Sequence, residues 1–341
     1  QSGASFADWR DMKGDAMAGS SIPPLLSVVI DRQGGAAVRA ENAFADPAPE
    51  AALLWQHLYR DAPRAAAELA ASGLDSFVLD ALTAKETRPR CTVHGSGVVL
   101  NLRGVNLNPG AEPEDMVSVR LWLEAGRIFG VWLRPLQAVE DLLGAMERGQ
   151  APATPGEFVA RLALRLADRA EPVVATLNEK IDTLEEQVLD QEAGLARGDL
   201  AEVHRSAIIL RRFMQPQRDA LTTLEIEDLD WLTERDRSRL REAAERVQRL
   251  AEDLDAIRDR AQVVRDQIME LRSDQMNRRM LVLSIVAAVF LPLGLLTGLL
   301  GINVGGMPGA ENPWAFWIVT GGLVALGGGL VWWVWRLGMF R

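Results

Sequence analysis

Two apolar runs at the C-terminal end constrain this chain more than any other feature. Met280 to Leu300 is 21 residues without a charge, and Trp314 to Trp335 is 22 more. A helix needs ~20 such residues to cross ~30 Å of hydrocarbon. Between the runs lies a Gly-rich turn, 301–313, whose single charge is Glu311. The pair therefore reads as a helical hairpin through a membrane. The turn opens with Gly301-Ile302-Asn303, a polar residue at the mouth of an apolar hairpin on an acidic chain, and this points to cation permeation.

The formal charge of the 341 residues is -10. Arg336, Arg341 and Glu311 are the only charged residues from 280 on, so 35 of the 37 basic and 46 of the 47 acidic side chains precede the hairpin. A soluble part this acidic disfavours nucleic acid and favours cations. One cysteine, Cys91, excludes an intrachain disulfide and a cysteine zinc cluster. Residues 1–21 carry no apolar run of the secretory type and read as a disordered tail. Arg278 and Arg279 precede the first span, and Arg336 and Arg341 follow the second, so the positive-inside rule places both termini in the cytoplasm. Two helices per chain cannot enclose a pore, so a conducting form is expected to be a ring of copies.

The domain plan follows in order. A cytoplasmic α/β domain is expected over 22–155, a helical domain with a stalk helix over 156–279, a pore-lining span over 280–300, an outer loop over 301–313, a second span over 314–335 and a short cytoplasmic tail over 336–341. Within the first domain, Leu25–Ile30, Ser76–Leu79, Val98–Leu102, Met116–Trp122 and Arg127–Leu133 read as strands, with a hairpin turn at Glu124-Ala125-Gly126. Ala48–Leu58 and Pro63–Ala71 read as helices. Beyond Pro135 the pattern is helical over Pro135–Arg148, Pro155–Ala170, Pro172–Glu192 and Asp199–Glu227, several opening with Pro at a first-turn position.

From Asp236 the periodicity is sustained. Leu240, Ala243, Val247, Leu250, Leu254, Ile257, Ala261, Val264, Ile268 and Leu271 alternate spacings of three and four. No Gly or Pro intervenes between Asp236 and Phe290, so one helix of ~95 Å is expected to run into the first span. Pro292 is expected to kink or loosen it. Roughly 200° round the helix from the apolar seam lies a second line. It reads Glu252, Ala256, Asp259, Val263, Asp266, Glu270, Ser273 and Asn277 in the stalk, then Met280, Ser284, Ala287, Leu291, Gly294 and Gly298 in the span. If the seam packs on the chain's own helices, this line faces the axis of the ring. Acidic Glu252, Asp259, Asp266 and Glu270 would then concentrate cations, while Asn277, Met280, Ser284, Ala287, Leu291 and Gly294 would line the pore. The plainer reading is a solvated charged stalk, with Ser284 and the glycines as helix-packing positions and Asn303 as a helix C-cap.

The order of stalk helix, Phe290-Leu291-Pro292-Leu293, Gly301-Ile302-Asn303, Met307-Pro308 and a short second span with a basic end resembles the CorA superfamily of divalent-cation transporters. That superfamily's signature is Gly-Met-Asn at the end of the first span. With Ile302 in place of Met and a loop continuing Val304-Gly305-Gly306, the variant is similar to the zinc-transporting ZntB branch of Gram-negative bacteria. The resemblance implies a homopentamer in the bacterial inner membrane, a funnel-shaped α/β domain and one pore built from five first spans. It also implies that Gly301, Ile302 and Asn303 ring the entrance and hold the hydrated ion. The cargo it implies is Zn2+, with Mg2+, Co2+, Ni2+ and Cd2+ as related ions, and no bound cofactor. Gly309-Ala310 follows Met307-Pro308 where the magnesium members have Glu-Leu, so Glu311 is the one loop carboxylate left to attract cations.

Cys91 and His94 are weak candidates for a metal site; His57 and His204 complete the soft ligands. No carboxylate or histidine lies within the spans to relay a proton, so the expectation is a passive pore, or proton coupling sited in the funnel. Two alternatives stand beside zinc transport. One is a Mg2+/Co2+ channel gated by cytoplasmic metal. The other is a membrane-anchored coiled-stalk scaffold, which gives no reason for Gly301-Ile302-Asn303. No phosphate loop, nucleophile elbow or zinc-protease motif is present in the sequence, so an enzyme is not expected.

Overall fold

The structure is a computed structural model, and it describes residues 25–31, 35–39, 52–63, 65–84, 88–190, 196–302, 309 and 312–336. The N-terminal tail, most of the 301–313 loop and residues 337–341 lie outside the described residues. The chain divides into two units, one ending at Val264 and one beginning at Arg265.

The first unit is built on a seven-stranded sheet in the order β2-β1-β3-β7-β6-β5-β4. Its strands are β1 (Leu25–Ile30), β2 (Ala36–Arg39), β3 (Leu53–Tyr59), β4 (Arg90–His94), β5 (Gly97–Gly104), β6 (Val117–Glu124) and β7 (Arg127–Trp132). Strands β4 to β7 form an antiparallel meander, and β3 joins it in parallel against β7. The β6–β7 hairpin closes through Ala125-Gly126, where Gly126 takes φ 74°. That backbone region suits glycine in a two-residue turn. Helices α1 (Ala65–Ala71) and α2 (Ser76–Thr83) cover one face, on a core of Leu58, Val78, Leu82, Trp122, Phe129 and Val131. Helices α3 (Gln137–Glu147) and α4 (Pro155–Leu189) cover the other, where the ring of Trp55 meets Phe158 edge-on at 4.9 Å.

Three sequence expectations need correction. Leu53–Leu58, expected to be helical, is strand β3; its residues are all buried, because β1 and β7 flank it and helices cover it. A strand buried on both faces shows no alternation and reads like a buried helix. Ser76–Leu79, expected to be a strand, opens α2, where the Asp75 carboxylate accepts the Phe77 N–H at 2.8 Å. A carboxylate cap of this kind outweighs the weak β-propensity of a four-residue run. The two helices expected around Pro172 are one, α4, which passes through that proline.

Helix α5 (Ala196–Ile226) packs on α4, and α6 (Glu234–Leu300) follows as a single helix of 67 residues that continues through Pro292. Its seam is buried as the spacing requires: Leu240, Val247, Leu254 and Val264 are all 0% exposed. Ion pairs flank the seam on both sides. Arg260 joins Asp182 and Glu185 of α4, and Arg211 of α5 joins Asp255 at 2.5 Å.

The N-termini of α4 and α6 are tied together. Thr154 caps α4 by accepting the Glu157 N–H at 3.1 Å, and its hydroxyl donates to Asp236 at 2.7 Å. Asp236 in turn accepts the Thr233 N–H and hydroxyl, while its own N–H donates to Thr233 Oγ1. Gly156 allows this approach, since a Cβ there would sit 2.6 Å from the Asp236 Cβ. Glu157 accepts the Ala153 N–H and pairs with Arg161 and Arg239. Burial would raise its pKa, but these three partners together hold the carboxyl below the usual range.

The second unit holds the rest of α6 and α7 (Ala315–Arg336). Both helices are long and apolar enough to cross a membrane. Their side chains point outward without cover: Phe290 is 67% exposed, Leu291 78% and Trp317 66%. Ile285 and Val334 are the buried apolar side chains of the described spans.

Candidate pore helix and loop

α6 carries the expected ion path from Glu252 to Gly298, and Gly301 and Ile302 follow its end at Leu300. Its last turn closes where the Gly301 N–H donates to the Thr297 and Gly298 carbonyls at 2.9 and 3.2 Å. The Thr297 hydroxyl donates back to the Leu293 carbonyl at 2.9 Å, so it is spent on the helix. Ile302 is half exposed just past the helix end. Asn303 and Glu311 lie outside the described residues.

On the first unit, the line opposite the seam is exposed at Glu252, Ala256, Asp259 and Val263, beside the buried Leu250, Leu254, Ile257 and Val264. The helix is therefore two-faced here, with the seam inside and the acidic line in solvent. The acids are not bare. Glu252 accepts from Gln248 at 2.7 Å, and Asp259 pairs with Arg258 at 2.8 Å. On the second unit, Asp266, Glu270, Asn277, Met280, Ser284, Ala287, Leu291 and Gly294 are all exposed, and Asp266 lies 3.7 Å from Arg265. Exposed pairs of this kind are worth ~1 kcal/mol or less.

The weak metal candidates are not brought together. Cys91 and His94 sit three apart on β4, and strand alternation puts them on opposite faces of the sheet. Burial, and then the charge of Glu227, push the Cys91 thiol up to about 12. His94 stacks on Phe77 at 4.7 Å, with Nε2 3.5 Å from Asp75. Among the described residues no group of three His, Cys, Asp or Glu could hold a metal. His57 is buried in β3, between the rings of Trp55 and Trp132.

A long helix running up to Gly301-Ile302, followed by a second long apolar helix, on an α/β base, narrows the choice of family, and comparison settles it. The sequence matches the family model of the CorA-like Mg2+ transporter protein over residues 50–336. This chain belongs to that family. It is 41% identical over 316 residues to the divalent cation transporter CmaX of Pseudomonas aeruginosa, covering 91% of this chain and 94% of that protein. It is 38% identical over 283 residues to the zinc transport protein ZntB of Pectobacterium carotovorum, covering 83% and 86%. The solved structure of full-length CmaX superposes with a TM-score of 0.78 at 39% identity, over 92% of this chain and 97% of that one. The CorA resemblance, and the architecture of α/β base, long helix and second C-terminal helix, therefore hold.

Proposed function

We propose that this CorA-family protein moves divalent cations, Zn2+ foremost, across the bacterial inner membrane through a pore made by five copies of α6. The observation that carries the reading is the continuity of α6. One helix bears the acidic line of Glu252, Asp259, Asp266 and Glu270, then the uncharged span, and ends at Leu300, with Gly301-Ile302-Asn303 next in sequence. Carboxylates at one end gather cations, and uncharged oxygens at the other hold a hydrated ion weakly enough to release it. Mg2+ in particular sheds its water reluctantly and is held through its shell. The names of the relatives support the class of cargo, and ZntB supports zinc. Basic Arg278, Arg279 and Arg336 support a cytoplasmic side for both termini and the acidic α/β unit. Arg336 lies over the Trp332 ring at 5.3 Å, as an interfacial anchor would. In the ring, Gly301, Ile302 and Asn303 form the outer entrance, Glu311 draws cations to it, and Asn277, Met280, Ser284, Ala287, Leu291 and Gly294 face the axis.

Proteoliposomes with an encapsulated zinc- or magnesium-sensitive dye test the cargo. Initial Zn2+ flux is expected to exceed Mg2+ flux by about tenfold or more, a difference of ~1.4 kcal/mol. An inward proton gradient, imposed in a parallel arm, reads proton coupling. Mg2+ flux without Zn2+ flux would make the protein a Mg2+/Co2+ channel. No flux of either ion in a verified pentamer would leave a membrane-anchored scaffold.

A further inference from the structure

A row of polar side chains crosses the meander on the α2 face, and the transport reading makes no use of it. Arg120, at the middle of β6, is 1% exposed. Its partner in register on β5 is Asn101, also 1% exposed, and the partner of Asn101 on the edge strand β4 is Arg90, which is exposed. Residues paired in register share a face of the sheet. Arg120, Asn101 and Arg90 thus run side by side from the interior to the sheet edge.

The buried part of the row is short of partners. Arg120 Nη2 donates to the Ala84 carbonyl at 2.9 Å, the residue that caps the C-terminus of α2. Among the described residues, Arg120 Nε and Nη1 have no acceptor, and the amide oxygen and nitrogen of Asn101 have no partner. Those two guanidinium nitrogens alone hold three N–H donors. The charges acting on Arg120 are cations: after burial, Arg60 and Arg103 press its pKa down to about 10. Arg60 pairs with Asp61, and Arg103 is engaged with the Met116 carbonyl and the Phe213 ring. Burying a lone charge costs several kcal/mol, and buried polar groups are as a rule hydrogen-bonded. A cavity of about 290 Å3 adjoins the row, lined by Ala84, Arg90, Thr92 and Val99, with exposed Asp80 and Phe77 of α2 also in its wall. Arg90 belongs to both the cavity and the row, and Ala84 in the cavity wall is the residue whose carbonyl Arg120 holds.

We propose that Arg120, Asn101 and Arg90 form a binding site for a small inorganic oxyanion of the phosphate or sulfate type, reached from the β4 edge. A tetrahedral anion offers acceptors in several directions, which suits guanidinium and amide donors set side by side in one row. The site is local, since the chain as a whole is acidic. Because Arg120 holds the end of α2, the anion secures that helix against the sheet.

The test is thermal unfolding of the full-length protein in detergent, with inorganic phosphate, sulfate or chloride at matched ionic strength. The midpoint is expected to rise saturably with phosphate or sulfate, by ~3–6 °C once the anion exceeds its dissociation constant ~100-fold, and not with chloride. Arg120→Met is expected to lose this response while unfolding no earlier than the parent in chloride, since it no longer buries a bare charge. Asn101→Leu is expected to shift the phosphate titration to higher concentration. The proposal is overturned by a parent protein that shows no saturable oxyanion response, or by an equal response in Arg120→Met. A response to ATP with none to inorganic phosphate would overturn it too, by moving the ligand to a nucleotide.

Discussion

Acidification from pH 7 to pH 4 is expected to weaken the sheet unit far more in the parent protein than in His57→Leu. His57 is 0% exposed on β3, packed against Trp55 and Trp132, and neither ring nitrogen has a partner among the described residues. Gly130 on β7 makes the room, since a Cβ there would lie 2.3 Å from His57 Nδ1. Burial lowers the His57 pKa from 6.5 to about 3. The folded state therefore keeps the imidazole neutral over a range in which the unfolded chain binds a proton. Stability from this group is fully present above pH 6.5 and drains away as pH falls towards 3. The gap corresponds to roughly 5 kcal/mol at the acid limit, and about 3 kcal/mol at pH 4. Leucine fills the same apolar slot and cannot charge, so its pH profile lacks that slope. The Glu157 carboxyl, also held low, loses its stabilisation on acidification in both proteins and cancels in the comparison. Denaturant titrations at several pH values check this, and parallel profiles would refute it.

The second large effect is expected at the junction of α4 and α6. Asp236 is 2% exposed and accepts hydrogen bonds from Thr154 and from both the backbone and hydroxyl of Thr233. Asp236→Ala leaves the Thr233 hydroxyl cap of α6 in place but removes the carboxylate that answers it, and so leaves the Thr154 hydroxyl and the Thr233 N–H without this acceptor. Thr154 is half-buried and Thr233 exposed, so each hydrogen bond lost costs ~0.5–1.5 kcal/mol, and a loss of ~2 kcal/mol in unfolding free energy is expected. Asp236→Asn keeps one acceptor oxygen and should lose about half as much. Equal unfolding of Asp236→Ala and the parent would show that the two helix ends are not coupled through this residue.

Legibility in the sequence tracked how much of each element's surroundings the chain itself carries. The α6 seam was legible because a helix buried on one side writes its burial as spacings of three and four, and Leu240 through Val264 are buried accordingly. The hairpin at Gly126 was legible because the turn needs a left-handed residue that few side chains supply. Strand β3 was not, since both its faces are covered by partners far away in sequence. The join through Pro172 was hidden because a proline signals a break locally, whereas the packing of α4 on α5 and α3 holds the helix through it. Strand β4 was left out because its pattern is half exposed at the sheet edge. Gly301-Ile302-Asn303 was read from spacing between two spans, a relation the sequence states directly. Arg120 was passed over, although a charge at the centre of the mostly apolar Val117–Leu123 run was the available signal.

The central claim is that five copies of α6 enclose a cation path whose outer ring is made by Asn303. Zinc uptake into dye-loaded proteoliposomes, compared between the parent and Asn303→Ala at equal pentamer content, tests it most directly. A hydrogen bond to a charged partner contributes ~1.5–3 kcal/mol, so the account predicts a fall in initial Zn2+ flux of about tenfold or more. Zn2+ flux in Asn303→Ala equal to that of the parent would contradict it.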